Sequence, residues 1–425
     1  MLKVLDAGGA AGRRDLARLF RARSAPDFAG LRDALPIVEE VLRDGIPALL
    51  RFVKKLEGFS LSERELLVDP REAAAPGVDP GFARAFRLAV RRIGAYHARQ
   101  RLKGWNGSDG DGVTFTEFPV PHDTVGVYVP GGRAFYPSSL MMGVVPARVA
   151  GVKTVIVATP VRAWRESPEL RWAASELGVD RVLLAGGAHG IAGLAGALGC
   201  TKVIGPGNRW VAAAKHLVSA LSSTDLPAGP SEVLILASAG ADPVRIAADL
   251  LAQAEHDPDA ICLLFTTVRT LAVQVGRELR EQIRTLPTRD TARRSLETHG
   301  RAFVFSTLQH AVEAGCFAAV EHVQLMGREA ERHARRLAAC SGAVFLGNDT
   351  PTAFGDYLAG PNHVLPTGGA ARSFAGLSTR DFYRWGRTVH FSRAAARTLA
   401  APAALLARFE GLEGHARSLD RRSAP

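Results

Sequence analysis

The spacing of apolar residues changes character near residue 124. Upstream they recur every three or four residues, the period that turns one face of a helix toward a core. A short Arg-rich helix is expected over 15–23, ended by Pro26. Ile37, Val41, Leu49, Leu50 and Val53 mark helix over 36–56, interrupted near Gly45 and Pro47. Phe82, Phe86, Leu88, Val90, Ile93 and Tyr96 mark a stronger one over 80–103. The Gly- and Asp-rich stretch 105–112 reads as a loop, and 113–118 alternates like a hairpin strand. Downstream, short β-branched runs alternate with helical segments, the pattern of parallel strands joined by crossover helices. Strands are expected at 124–129, 154–158, 181–185 and 202–204, with helices at 138–149, 169–177, 189–198 and 209–222. A second α/β layer follows, with strands at 233–237, 261–266, 302–305 and 343–346 and helices at 243–256, 268–284 and 329–339. The remainder reads as a small helical tail with Phe382, Trp385 and Val389 in its core. The fold class is therefore α/β and doubly wound.

Composition narrows the functional classes. A chain of 425 residues is too long for one ordinary core and is expected to form two or three domains. Its hydrophobic content of 47% and mean hydropathy of +0.04 are those of a water-soluble globular protein. No apolar run approaches the roughly eighteen residues needed to cross a bilayer, and the N-terminus carries no signal-peptide pattern, so a cytoplasmic protein without membrane association is expected. Cys200, Cys262, Cys316 and Cys340 form no Cys-x-x-Cys pair, which argues for free thiols rather than a disulfide framework or a thiolate zinc site. The net charge of +11 comes from dispersed arginines such as Arg84, Arg87, Arg91 and Arg92, without aromatic interleaving. That distribution argues against nucleic-acid binding and for a surface that favours anionic cofactors.

Candidate chemistry gathers at few places. In the helix expected over 243–256, Asp249, Gln253 and His256 share one face while Ile246, Leu250, Leu251 and Ala254 supply the apolar side. Asp257 precedes Pro258 and is disfavoured in the α region, so His256 sits in the last turn, beside the next loop. Such a stripe is either a solvated helix face or a set of metal donors. Three strands of the first layer end at glycine turns, Pro130-Gly131-Gly132, Gly186-Gly187-Ala188 and Gly205-Pro206-Gly207-Asn208. Such turns let backbone N–H groups approach phosphates, although none is a Gly-x-Gly-x-x-Gly fingerprint. Glu321-His322 places a carboxylate beside an imidazole that accepts protons near neutral pH. The loop Gly355-Asp356 to His363 carries another such pair, closed by Pro366-Thr367-Gly368-Gly369, and Gly411 and Gly414 break the tail helix so that Glu410 and His415 can converge.

Together these segments resemble the histidinol dehydrogenases. The resemblance runs from about residue 35 to 420 and is densest in Val125-Gly-Val-Tyr-Val-Pro-Gly-Gly132, Gly205-Pro-Gly-Asn208, Ala228-Gly-Pro-Ser-Glu232, Ala248 to Ala260 and Gly355 to Thr367. It implies a cytoplasmic homodimer that oxidises L-histidinol to L-histidine with two NAD, the last step of histidine biosynthesis. It also implies two incomplete Rossmann-like domains of the histidinol dehydrogenase/aldehyde dehydrogenase kind, the first from 31–124 and 232–368, the second from 125–231. A helical segment at 1–30 would precede them, and a tail at 369–425 would be exchanged between subunits.

Residue by residue, the resemblance implies one Zn²⁺ per subunit, held by Gln253, His256 and Asp356 with His415 from the other subunit. Two nitrogens and two oxygens suit that ion. Glu321 and His322 match the acid/base pair, Ser231, His363 and Glu410 match substrate contacts alongside the metal ligands and His322, and Tyr128, His189 and Asn208 occupy the cofactor-contact positions. Two departures stand out. His189-Gly190 replaces the family's Gln-Ala, and Ala318-Ala-Val-Glu-His lacks its usual Asn and Pro. A zinc- and NAD-dependent polyol or sulfonated-diol dehydrogenase and a zinc hydrolase remain alternative readings.

Overall fold

The computed structural model describes residues 2–23, 27–72, 77–131, 136–226 and 229–423; Pro26, Gly132 and Ala228, used above for a helix stop and two motifs, lie outside them. Among the described residues are two six-stranded sheets and one three-stranded antiparallel sheet. The first six-stranded sheet has the order Lys3–Asp6, Arg301–Val304, Ile261–Thr266, Glu232–Ala237, His322–Met326, Ala343–Leu346, all parallel. The second runs Leu67–Val68, Arg181–Leu184, Thr154–Thr159, Thr124–Tyr128, Lys202–Ile204, Ser223–Thr224, parallel except at its Leu67–Val68 edge. In both, successive strands build to one side and the chain then returns to the other side of its starting strand. The order thus reverses between Glu232–Ala237 and His322–Met326, and between Thr124–Tyr128 and Lys202–Ile204. Ligand crevices of α/β sheets form at such reversals.

Helices cover both faces of these sheets, which is why Glu232–Ala237 and Ile261–Thr266 are buried along their whole length. Alternation still sorts the side chains. Val233, Ile235 and Ala237 join Ile246, Leu250, Leu271 and Val275 on one side, while Leu234 and Leu236 join Phe20, Phe265, Val312 and Leu337 on the other. No described helix is long and apolar enough to cross a membrane.

Several elements differ from the sequence expectation. The helices Phe28–Asp44, Ile46–Phe52 and Pro80–Ala98 pack on the 124–224 sheet, not with 232–368: Val38, Leu49, Phe86 and Ile93 share one core with Val127, Val157, Leu183 and Ile204. Periodicity tells that a helix has a buried face but not which sheet receives it. The N-terminal segment is not only helical, since Lys3–Asp6 extends the 232–346 sheet and precedes the helix Ala10–Arg23. Residues 105–112 contain a strand, Trp105–Ser108, paired with Val113–Pro121. The expected helical tail contains the strand Tyr383–Phe391; Phe382 is fully buried, but Trp385 and Val389 are half exposed on the three-stranded sheet. The helix 243–256 stops at Ala254. Beyond that strand, Arg393–Phe409 and Glu413–Ser423 form a helical hairpin around Ala404, Ala407 and Ala416.

Candidate active site

The helix Pro243–Ala254 begins at Asp242, whose side chain accepts from Val244 N, with Pro243 in the first turn. It connects two parallel strands and therefore runs back against them. Its C-terminal end, with Gln253 and His256, consequently lies at the amino ends of the strands, the edge where Ser231, Glu232, Glu321 and His322 also stand. Val233 pairs with His322, so Glu232 and Glu321 are neighbours across the reversal point. They hold each other: Glu321 Oε2 accepts from Glu232 N at 2.8 Å, and Glu232 Oε2 accepts from Glu321 N at 3.3 Å. Glu232 Oε1 also accepts from Gly368 N at 3.1 Å, closing the 366–369 loop over this edge. Glu232 was not singled out from the sequence; a carboxylate opening an otherwise apolar strand was the available signal.

His322 is buried, with Nδ1 3.4 Å from Glu321 Oε2. Burial alone would lower the imidazole, but the charges of Glu321 and Asp356 outweigh it and lift His322 to about 8. The turn that delivers this pair is strained, since Ala319 closes the preceding helix Leu308–Ala318 in the left-handed region at φ 47°.

Asp356, from the short helix Ala353–Tyr357, lies 3.5 Å from His363 Nδ1. Burial would raise this carboxyl, yet its hydrogen bond to His363 and the fields of His363, His322 and His256 hold it below the ordinary aspartate value. Three predicted histidines thus act electrostatically on one carboxylate. Gln253 is buried three residues before His256, which is exposed, and Ser231 is half-buried at the start of Glu232–Ala237. The donors are chemically those of a divalent ion, an ionised carboxylate, an open imidazole and an amide oxygen. Within one chain the set is incomplete: among the described residues no three His, Cys, Asp or Glu side chains are placed to hold a metal. Glu410 and His415 are exposed on the tail hairpin, which packs mainly against itself and Tyr383–Phe391.

The remaining predicted residues sit on the other sheet, at its carboxyl ends. Tyr128 is buried at the end of Thr124–Tyr128, and its hydroxyl accepts from Gly187 N at 3.0 Å; burial pushes the phenol up to about 12. Asn208 is exposed and caps the helix Arg209–Val218 by accepting from Trp210 N and Val211 N. Gly205, between them, has φ 125°, and a Cβ there would stand 2.2 Å from Tyr128 O, so only glycine fits. Its N–H donates to Asp225 Oδ2 at 2.8 Å and its carbonyl accepts from Lys215 Nζ at 3.0 Å. His189 is turned inward, with Nε2 2.9 Å from Glu57 Oε1 and Nδ1 buried without a partner. Asn362 Nδ2, donating to Met142 O at 2.7 Å, ties the 355–367 loop to the helix that follows Tyr128. The loop that carries Asp356 and His363 is therefore tied to a helix that packs on the other sheet.

Asp249, on the face first read from the sequence, contacts Gln324 instead of joining the cluster, and burial pushes its carboxyl up to about 6 against the opposing pull of Gln324 and Arg245. A raised carboxyl binds its proton more tightly in the fold than in the unfolded chain. Its cost to stability is thus absent below about pH 4 and complete above about pH 6. Asp249→Asn is expected to stabilise the protein by about 1–3 kcal/mol at pH 7.5 and by almost nothing at pH 4, as measured by urea unfolding at both values.

Known proteins share this architecture and sequence. The model of the family described as histidinol dehydrogenase matches residues 24–423. Histidinol dehydrogenase of Listeria monocytogenes serovar 1/2a is 37% identical over 390 residues, 91% of each chain. That of Halalkalibacterium halodurans is 39% identical over 391 residues, 91% of this chain and 92% of the relative. The crystal structure of histidinol dehydrogenase from Elizabethkingia anophelis superposes with a TM-score of 0.88 at 27% identity, covering 99% of this chain and 98% of that one.

Proposed function

The chain belongs to the histidinol dehydrogenase family, and from that premise we propose that it oxidises L-histidinol to L-histidine in two hydride transfers to NAD, with zinc at Gln253, His256, Asp356 and His415 of the partner subunit. The observation that carries this reading is the buried Glu321-His322 pair, braced by Glu232 at the amino edge of one sheet and in the field of Asp356 from the 355–367 loop.

A divalent zinc bound by these donors would hold the imidazole and amino nitrogens of the substrate and so orient its carbinol carbon. NAD supplies the hydride acceptor, at the reversal point between Tyr128 and Asn208. The chain's own residues do the rest. His322 accepts the hydroxyl proton as the first hydride leaves the carbinol carbon, giving the aldehyde. His322 releases that proton to solvent before the second step; Glu321 then takes a proton from the water that adds to the aldehyde, and the again neutral His322 accepts the remaining hydroxyl proton of the hydrate anion as the second hydride leaves, which gives the carboxylate. Glu232 holds the Glu321 backbone and is held by it, so the base cannot swing away between the two steps. Ser231, His363 and Glu410 contact the substrate.

A second copy of the chain completes the centre. The tail hairpin leaves Leu405, Leu406, Phe409 and Leu412 exposed, and Trp105, Trp385, Val389 and Phe391 lie exposed on the three-stranded sheet next to it. Apolar area of this kind is the mark of a protein interface, and a homodimer that exchanges the tail brings His415 and Glu410 to the cluster. The free thiols at Cys200, Cys262, Cys316 and Cys340 accord with a cytoplasmic enzyme.

Zinc-loaded protein is expected to form NADH from L-histidinol, to lose that activity on chelation and to recover it with zinc. A polyol or sulfonated diol oxidised in preference to L-histidinol would replace the substrate, and hydrolysis without NADH would replace the reaction.

A further inference from the structure

The carboxylate of Glu57 does more than end the helical turn Val53–Glu57. It reaches from outside the 124–224 sheet to the carboxyl ends of two of its strands. Oε2 accepts from Val161 N at 2.7 Å, just past the strand Thr154–Thr159. Oε1 accepts from Gly186 N at 2.7 Å, just past Arg181–Leu184, and lies 2.9 Å from His189 Nε2. The side chain is nearly buried, at 12% exposure, and the His189 side chain more so, at 3%. Charged acceptors with three donors in a low-dielectric setting hold geometry strongly.

The same two turns touch the rest of the carboxyl edge. A Cβ on Gly186 would meet Pro160 Cγ at 2.8 Å, and one on Gly131 would meet Ala163 Cβ at 2.8 Å. Gly187 N donates to the Tyr128 hydroxyl. Three strand ends are thus locked in close packing, with a single carboxylate setting the separation of two of them. Gly187, at the open side of this arrangement, has φ 51° and no atom nearer than 3.9 Å to a built Cβ, so its backbone can be approached closely.

We propose that Glu57 is a positioning residue for the dinucleotide. Its carboxylate fixes the Val161 and Gly186 turns at the spacing the cofactor requires beside Tyr128, with the inward-facing His189 as its third donor. This rests on the NAD reading above but assigns the role to a residue upstream of the 124–224 strands, in a segment that carries none of the motifs. His189 then acts through Glu57, from inside the turn.

Glu57→Gln keeps the size of the side chain and replaces one of the two accepting oxygens with an amide that opposes a backbone N–H. In the zinc-loaded protein, NADH affinity measured by fluorescence and KM for NAD are expected to weaken about ten-fold, the scale of one charge-assisted hydrogen bond. The kcat at saturating NAD and KM for L-histidinol should stay within about two-fold, because Glu321 and His322 stand on the other sheet. Glu57→Asp, which keeps the charge but withdraws it by one methylene, should show the same split. A thermal melt establishes that each variant is folded. Folded variants with NADH affinity within about two-fold of wild type overturn the proposal, as does loss of the folded state in both, which makes Glu57 a structural group only. Wild-type protein that fails to bind NADH overturns the dinucleotide reading itself, a result distinguishable from either.

Discussion

His322→Asn is expected to slow NADH formation from L-histidinol by about two to four orders of magnitude, and to slow oxidation of the aldehyde as well, since the imidazole accepts a proton in both steps. Glu321→Gln is expected to do something narrower. The amide oxygen can still accept from Glu232 N, so the strand edge is preserved. It cannot take a proton from water, however, so the aldehyde step should fall by about the same two to four orders while the alcohol step continues. Stopped-flow absorbance at the NADH band, started from L-histidinol and separately from L-histidinal, resolves the two. Near-wild-type rates of both half-reactions in either variant would remove the assigned roles. The charge balance at His322 bears on the same result: Asp356 is one of the groups that raise the imidazole, so a cation on Asp356 favours the neutral form that a base requires.

His415→Ala is the second large effect. Within its own chain His415 is an exposed residue of Glu413–Ser423, and removing it should leave stability within about 0.5 kcal/mol of wild type, as is usual for exposed positions. If it is the fourth ligand at the neighbouring copy's cluster, the same change should lower zinc content and cut turnover by at least about a hundred-fold. Metal analysis of the purified variant together with its melting curve separates a ligand from a decoration.

Much of the fold was legible because short β-branched runs bounded by glycine leave little choice: the strands Ile261–Thr266, Lys202–Ile204 and Ala343–Leu346 coincide with the periodicity. His322–Met326 was not legible, since His-Val-Gln-Leu-Met contains only one β-branched residue and its place in the sheet comes from neighbours distant in sequence. Tyr383–Phe391 was misread although Tyr383, Trp385, Thr388, Val389 and Phe391 favour a strand, because the partner that pairs with it, Val113–Pro121, lies far upstream. At the site, residue type and motif identified Glu321, His322, Asp356 and His363, and the structure brings these together. What no local pattern could convey was that the 355–367 loop ties to a helix of the other sheet, or that Glu232 braces Glu321. Glu57 was equally hidden, because Lys-Lys-Leu-Glu-Gly reads as an ordinary helix end.

If one chain's Glu321-His322 edge works with another chain's His415, two variants that are inactive alone should restore activity when mixed. His415→Ala and His322→Asn proteins, each nearly inactive alone, would be dissociated, combined in equal amounts and reassociated. In a mixed dimer with exchanged tails, the His415→Ala chain keeps His322 and receives an intact His415, so one centre in each mixed dimer is whole. Activity should rise to about a quarter of the wild-type value for random pairing. No recovery, with mixed dimers shown to be present, would mean that each centre uses its own tail or none, and would contradict the account.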